Sequence, residues 1–144
     1  MELFVLGPVR EILVVEDSSL DTKLVLWALD QNKRGKNVVT MDDGQQAMAY
    51  LREKGSGLHP ALILLDLNLP KKDGWQVLSE CKSDPALRGI PIVVFSTSHL
   101  DADIKRSYAL GANSFVSKPF DLDDFQQAIE LIENYWLRLS TPAL

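Results

Sequence analysis

The stretch that decides the fold is Ala61-Leu-Ile-Leu-Leu-Asp-Leu-Asn-Leu-Pro70. Its first five residues form an apolar run that begins after Pro60, a pattern typical of a strand buried on both faces of a parallel sheet. Asp66 follows this run directly. Because open α/β sheets bind ligands beyond the carboxyl ends of their strands, we expect Asp66 to lie in such a crevice.

Three further candidate strands also lead directly into charged or hydroxyl-bearing residues. They are Ile12–Val15 followed by Glu16 and Asp17, Ile92–Phe95 followed by Ser96 and Thr97, and Ser114–Ser117 followed by Lys118. Because parallel strands end at the same edge of a sheet, these side chains are expected near Asp66. Three acids, a hydroxyl and a lysine at one edge indicate a metal-assisted phosphoryl site.

Strand and helix patterns alternate about five times, which predicts an α/β fold with a parallel sheet and helices on both faces. Strands are expected at about 11–16, 38–40, 61–65, 92–95 and 114–117. Helices are expected after Asp17 or Ser18, from Gly44 to the Gly55-Ser-Gly57 turn, from Gly74 to Ser83, from Asp101 to Leu110 closed by Gly111, and from Asp121 to about Leu139. Residues 1–9 are interpreted as a loosely attached lead-in, and residues 10–144 as one domain with an extended C-terminal helix and a short tail.

Composition limits the classes of function. With 144 residues, 46% of them hydrophobic and 24% charged, the chain suits one globular domain. A net charge of −5 argues against a nucleic-acid surface. No apolar run approaches the roughly 20 residues that span a bilayer, so no membrane contact is expected. The single cysteine, Cys81, is expected to be a small buried hydrophobe and fits a reducing cytoplasm.

The acids supply the oxygen ligands that Mg²⁺ prefers. Asp17 and Asp66 are candidates for direct carboxylate ligands, and Glu16 for holding a metal-bound water. The backbone carbonyl of Asn68, two residues after Asp66, is a further candidate ligand. Crowded acids disfavour each other's ionisation, and a divalent cation relieves this repulsion.

The remaining residues suit the transferred phosphoryl group. Lys118 offsets its negative charge, the Ser96 hydroxyl donates a hydrogen bond, and the backbone N–H of Thr97 lies nearby. Each residue alone has a structural explanation, because an aspartate after a strand is more often a helix cap. Their coincidence at the ends of four strands favours a functional site.

Five ordered motifs name a family. Val14–Ser18, Leu64–Pro70 with Asp73-Gly74, Val94–Thr97, Gly111-Ala112 and Lys118-Pro119-Phe120 resemble the receiver domain of two-component response regulators. The resemblance covers about residues 10–135. It implies a doubly wound, flavodoxin-like fold with five helices and a five-stranded parallel sheet in the order 2-1-3-4-5. It also implies a phosphorylated signalling protein that is not a conventional enzyme.

The resemblance also assigns roles to individual residues. Asp66 is the expected phosphoacceptor, Glu16 and Asp17 the acidic pair, and Lys118 the phosphate-binding lysine. Ser96 and Phe115 are the expected pair of coupled switch residues. The peptide bond before Pro119 is expected to be cis and to aim the lysine inward.

A narrower resemblance points to partners. Asn68–Gly74, Lys82–Pro85, Ser96–Ser98 and Glu133–Trp136 are similar to segments of the stand-alone response regulators of cyanobacterial phytochromes. These pair with light-sensing histidine kinases and tend to homodimerise, which the family commonly does through helix four, strand five and helix five.

Two helices carry the candidate partner surfaces. On helix five, one apolar stripe is expected to face the sheet and a second to form the dimer contact. The first stripe is Leu122, Phe125, Ile129, Ile132 and Trp136, and the second is Leu131, Tyr135 and Leu137. Helix one, with Leu20, Lys23, Leu24 and Trp27, is the expected docking face for a kinase.

Two alternatives remain open. A haloacid-dehalogenase-like phosphatase also phosphorylates an aspartate after a strand, but that family wants a second aspartate where this chain has Asn68. It also usually places its nucleophile on the first strand. The other alternative is a receiver-shaped scaffold that is never phosphorylated, in which the complete set of acids, Ser96 and Lys118 would serve no physical need.

Overall fold

The computed structural model describes residues 10–33, 35–53 and 59–142. Five parallel strands form one sheet in the order β2-β1-β3-β4-β5. The strands are β1 (Arg10–Val15), β2 (Lys36–Met41), β3 (Leu62–Leu65), β4 (Ile92–Ser96) and β5 (Ser114–Ser117). The predicted strand order is therefore confirmed, and β1 lies beside β3 in a register that pairs Val15 with Leu65.

Five α-helices connect and follow the strands. They are α1 (Ser19–Asp30), α2 (Gly44–Glu53), α3 (Gly74–Ser83), α4 (Asp101–Ala109) and α5 (Leu122–Asn134), and a π-helical turn at Tyr135–Leu139 continues α5. Side chains accept backbone N–H groups at four of the helix starts, those of Ser18, Asp43, Asp73 and Asp121. Gly111, just past α4, has the positive φ of +103° expected of a residue that ends a helix.

The sheet is buried on both faces, because β1 sends alternate side chains into two separate cores. Leu13 and Val15 lie in the core beneath α2 and α3, together with Cys81. Ile12 and Val14 lie in the core beneath α1 and α5. Burial raises the pKa of the Cys81 thiol to about 12, as expected for a cysteine that acts as a hydrophobe.

The end of helix five differs from expectation. Leu137, predicted to lie on the dimer stripe, is buried in the core beneath α1 and α5. It lies eight residues after Ile129 and four after Glu133, both of which are buried, so the helical period itself places it on the inner face of α5. At the other end, Leu122 was predicted to face the sheet but is half exposed in the first turn of α5.

Smaller differences concern element boundaries. Strand β2 is longer than its predicted core at 38–40 because all six of its residues pair with β1. The lead-in at residues 1–9 and the Gly55-Ser-Gly57 turn lie outside the described residues, as do the last two residues of the tail. Within the described ranges, no helix is both long enough and apolar enough to cross a membrane.

A buried ion pair that sequence patterns did not reveal joins β2 to α5. Lys36 Nζ lies 2.9 Å from Glu133 Oε2, and both side chains are almost fully buried. Arg138 in the π-helical turn lies 3.8 Å from the same oxygen. These contacts connect the C-terminal end of α5 to the amino end of β2. Asp66 lies at the opposite, carboxyl end of the parallel strands.

Gly74 begins α3 where the chain passes close to the segment after β3. A Cβ atom at this position would lie 2.3 Å from Asp66 O and 2.5 Å from the Leu67 Cα. The backbone N–H of Gly74 also donates to Leu67 O at 2.9 Å. The close approach requires glycine and fixes the path of the chain beyond Asp66.

We therefore expect Gly74→Ala to destabilise the protein by about 1–3 kcal/mol, the usual cost of forcing atoms into a packed site. Gly89→Ala is the matched control, because a Cβ there meets nothing within 4 Å. We expect its effect to stay within about 0.5 kcal/mol. Urea unfolding followed by circular dichroism measures both, and equal stability of the two variants would contradict the close approach at Gly74.

Candidate functional site

Three carboxylates meet at the carboxyl edge of the sheet. Glu16 and Asp17 follow β1, and Asp66 follows the neighbouring β3. The backbone N–H of Asp66 donates to Val15 O at 3.0 Å, which holds the two strand ends together. One carboxylate oxygen from each of the three acids lies within 4.8 Å of the others. We call these three residues the acid cluster.

The members of the acid cluster differ in exposure. Glu16 and Asp66 are only 6% and 8% exposed, whereas Asp17 is open to solvent. Asp66 Oδ1 accepts the backbone N–H of Leu67 at 2.8 Å, and Asp66 Oδ2 faces Lys118. One oxygen of Asp66 is therefore fixed by the backbone, while the other lies on the side of the lysine.

Lys118 reaches the acid cluster from the end of β5. Its side chain is buried, and its Nζ lies 2.5 Å from Glu16 Oε1, 2.7 Å from Asp21 Oδ2 and 3.8 Å from Asp66 Oδ2. Burial alone would lower the pKa of Lys118, but the hydrogen bonds to Asp21 and Glu16, together with the negative charges of Asp66 and Glu16, more than offset it, so the pKa is raised. The lysine stays protonated and offsets part of the negative charge.

The pKa of Glu16 reflects the crowding of negative charge in a buried site. The pKa of Glu16 is raised from 4.5 to about 7, chiefly by burial and also by the nearby negative charge of Asp66, against the opposing effect of Lys118. A cation that binds the carboxylates would relieve the repulsion between their negative charges. Oxygen donors from three carboxylates are the ligand type that hard divalent ions prefer, so the residues present fit Mg²⁺.

The expected cis bond before Pro119 is wrong. No peptide bond between described residues is cis. The trans form is the intrinsically preferred one, and here it is compatible with an inward lysine. The backbone N–H of Lys118 donates to Ser96 O at 2.7 Å, continuing the β4–β5 ladder, and the side chain reaches Glu16 and Asp21 from that position.

The hydroxyl residues lie at the end of β4, next to the lysine. Ser96 is fully buried, and its Oγ accepts the backbone N–H of Ser98 at 3.1 Å. Thr97 is exposed at the same edge. The structure therefore brings Ser96, Thr97 and Lys118 to one side of the acid cluster through the pairing of β4 with β5.

Two more predicted residues are Asn68 and Phe115. Asn68 is exposed in the segment between β3 and α3, two residues past Asp66. Phe115 is half-buried on β5 and packs against the core beneath α2 and α3. Its backbone N–H donates to the hydroxyl of Tyr108 on α4 at 3.1 Å, which ties β5 to that helix.

Sequence reasoning missed Asp21 and Tyr108. Asp21 lies in the first turn of α1, where Ser18 Oγ accepts its backbone N–H at 3.2 Å. Its position three residues after a capping serine, on a helix that starts at the site's edge, was the available signal. Tyr108 had no comparable signal, because its partner is a backbone group seven residues away.

Comparisons with known proteins agree on one family. The profile of the response regulator receiver domain matches residues 12–130. Response regulator Rcp1 of Synechocystis sp. is 42% identical over 138 residues, which covers 94% of each chain. The structure of the phosphorylated cyanobacterial phytochrome response regulator RcpA is 45% identical, with a TM-score of 0.88, and the match covers 95% of this chain and 100% of that one.

The Mn²⁺-bound form of response regulator Rcp1 is also similar, with 41% identity and a TM-score of 0.85 over 94% of this chain and 99% of that one. The resemblance to phytochrome response regulators that the motifs indicated is thus confirmed. With the acid cluster and Lys118 at the edge of a 2-1-3-4-5 sheet, the chain belongs to the response regulator receiver domain family.

Proposed function

We propose that Asp66 accepts a phosphoryl group from a phosphohistidine of a sensor histidine kinase, with Mg²⁺ as the required ion. The observation that carries this proposal is the convergence of Glu16, Asp17 and Asp66 with protonated Lys118 at one sheet edge. A scaffold would have no use for two buried carboxylates this close together, because their mutual repulsion costs stability.

In the transfer, a carboxylate oxygen of Asp66 attacks phosphorus while the bond from phosphorus to the kinase imidazole breaks. An acyl phosphate forms on Asp66, and the imidazole keeps the electron pair of the broken bond. We assign the attack to Oδ2, because Oδ1 already accepts the Leu67 N–H.

The surrounding groups stabilise the negative charge on the transferred phosphoryl oxygens. Lys118 lies beside Asp66 Oδ2 and supplies a positive charge. The Ser96 hydroxyl and the Thr97 N–H are the proposed hydrogen-bond donors. Asp17, Asp66 and the backbone carbonyl of Asn68 are the proposed metal ligands, and Glu16 would hold a metal-bound water. When bound, Mg²⁺ supplies positive charge that offsets the carboxylates and the phosphoryl group.

Phosphorylation is proposed to act through Ser96 and Phe115. Breaking the hydrogen bond from Ser98 N to Ser96 Oγ would free the hydroxyl to move toward the phosphoryl group. Phe115 lies half-buried on the next strand, and its proposed motion is a turn further inward. Because the backbone N–H of Phe115 donates to the Tyr108 hydroxyl, such a motion would be transmitted to α4.

The phosphatase alternative is not favoured. The family match spans residues 12–130 and belongs to receiver domains, and Asn68 occupies the place of that enzyme class's second aspartate. We propose a signalling protein, located in the cytoplasm, that does not turn over phosphate monoesters. Sustained multiple turnover of such an ester would contradict this.

The cognate kinase is proposed to be a phytochrome-type light sensor, since RcpA is a phytochrome response regulator. The proposed docking face is α1, which begins beside the acid cluster. Leu20 is 65% exposed at its start, and Lys23 and Trp27 are also exposed along the helix. Leu24 is only partly buried and completes this face.

A homodimer is proposed through α4, β5 and α5. Exposed apolar side chains lie on this part of the surface: Leu100, Tyr108, Leu122, Leu131 and Tyr135. Leu131 and Tyr135 are one turn apart, so they form a continuous stripe. Because two copies would present the same stripe, a two-fold contact there would be self-complementary.

The phosphorylation step predicts a single adduct. Incubation with Mg²⁺ and acetyl phosphate should add about 80 Da to the intact mass. Asp66→Asn should give no adduct, while Asp42→Asn should behave like wild type, because exposed Asp42 follows β2 at the same edge but lies outside the acid cluster. An adduct on the Asp66→Asn protein would overturn the assignment of the phosphoacceptor.

The metal assignment predicts a loss of affinity. Asp17→Asn removes one charged ligand, so Mg²⁺ binding measured by calorimetry should weaken by about tenfold or more. Asp42→Asn, with the same change of charge, should bind Mg²⁺ nearly as well as wild type. Equal losses of Mg²⁺ affinity in the two variants would contradict the assignment of Asp17 as a ligand, because they would show that only the overall charge of the protein matters.

The dimer assignment predicts that Leu131→Glu raises the dimer dissociation constant by about tenfold or more, because it buries a charge in an apolar contact. Leu131 is 63% exposed, so the monomer fold should tolerate the change. Leu20→Glu on α1 is the control and should leave the dimer intact. Analytical ultracentrifugation with and without the phosphodonor measures both, and a wild-type protein that stays monomeric in either state would refute the interface.

A further inference from the structure

Asp21 is a fourth carboxylate at the site, outside the acid cluster. It lies in the first turn of α1, and its Oδ2 is 2.7 Å from Lys118 Nζ. Its side chain is 25% exposed, so it stands between the buried acids and solvent. Its backbone N–H donates to Ser18 Oγ at 3.2 Å, and its side chain accepts a hydrogen bond from Lys118.

The distances rank the partners of Lys118. Glu16 and Asp21 lie within hydrogen-bonding distance of Nζ, whereas Asp66 Oδ2 is 3.8 Å away. The lysine is therefore held mainly by two residues that do not accept the phosphoryl group. The raised pKa of Lys118 agrees, because burial opposes it and the hydrogen bonds to Asp21 and Glu16 are the largest favourable contributions.

Glu16 and Asp21 differ in what a cation would do to them. Glu16 belongs to the acid cluster, so a bound cation would share its negative charge. Asp21 lies outside that cluster and contacts Lys118 at 2.7 Å. A phosphoryl group on Asp66 would need the same ammonium group, so it would compete with Asp21 for Lys118 and also be repelled by the Asp21 carboxylate.

We propose that Asp21 is a positioning residue that restrains Lys118 in the unphosphorylated protein and opposes phosphoryl binding at Asp66. The inference rests on the proposed function, because it needs Lys118 to contact the phosphoryl group. Asp21 would thereby lower the stability of the phosphorylated state relative to the unphosphorylated one.

Beryllofluoride, a phosphoryl mimic, tests the inference when titrated in saturating Mg²⁺ by calorimetry. Asp21→Asn should bind it about tenfold more tightly, the low end of what one hydrogen bond between charged groups contributes. Asp21→Ala should change in the same direction and keeps a good helix former in α1. Asp21→Glu restores the carboxylate and should bind like wild type.

Asp30→Asn is the matched control, because Asp30 ends the same helix and forms an exposed ion pair with Lys33. It removes the same charge and should leave beryllofluoride affinity unchanged. Unchanged or weaker binding by Asp21→Asn, or equal tightening by Asp30→Asn, would overturn the role of Asp21 alone. Failure of the wild-type protein to bind beryllofluoride would instead overturn the proposed function, and this inference with it.

Discussion

Crowded negative charge at one edge of the sheet is the constraint on which the site depends. Two of the three carboxylates of the acid cluster are buried, and burial of charge is unfavourable unless it is paired. Lys118 supplies the pairing, but it is shared among Glu16, Asp21 and Asp66. The site is thus left with an excess of negative charge that favours a bound cation. The positive charge of that cation would in turn offset the negative charge of a phosphoryl group.

The strand order makes this crowding unavoidable. Because β1 and β3 are neighbours, Asp66 and the Glu16–Asp17 pair end up side by side. Lys118 follows β5, which is separated from β3 by β4. Its long side chain spans the width of β4 and brings Nζ within 3.8 Å of Asp66 Oδ2. The hydrophobic cores on both faces fix the register of these strands, so they also fix where the charges lie.

Local sequence signals predicted most of the fold. Unbroken apolar runs marked the buried strands, and capping residues with breakers bounded the helices, so that α3 has the expected limits of Gly74 and Ser83. The acid cluster, Ser96, Thr97 and Lys118 were predicted because each lies at the end of a strand or just past it. At such positions, the parallel arrangement alone determines that the side chains meet.

What sequence signals missed depends on distances between segments far apart in the chain. The pairing of Asp21 with Lys118 and of Lys36 with Glu133 joins residues about a hundred positions apart, and no periodicity encodes it. Leu137 was assigned to the wrong stripe, because it lies four residues after buried Glu133 and so continues the inner face of α5. The trans bond before Pro119 was missed because the expectation came from family resemblance, whereas here the β4–β5 ladder already aims the lysine.

The most direct measurement is the chemical identity of the modified residue. After phosphorylation in Mg²⁺, borohydride reduction converts an acyl phosphate on aspartate into homoserine, which peptide mass spectrometry locates in the sequence. The account predicts this conversion at position 66 alone, and only when Mg²⁺ was present. Conversion at another acid of the site, or phosphate retained on a serine or threonine, would contradict the claim that the charges of the acid cluster serve Asp66.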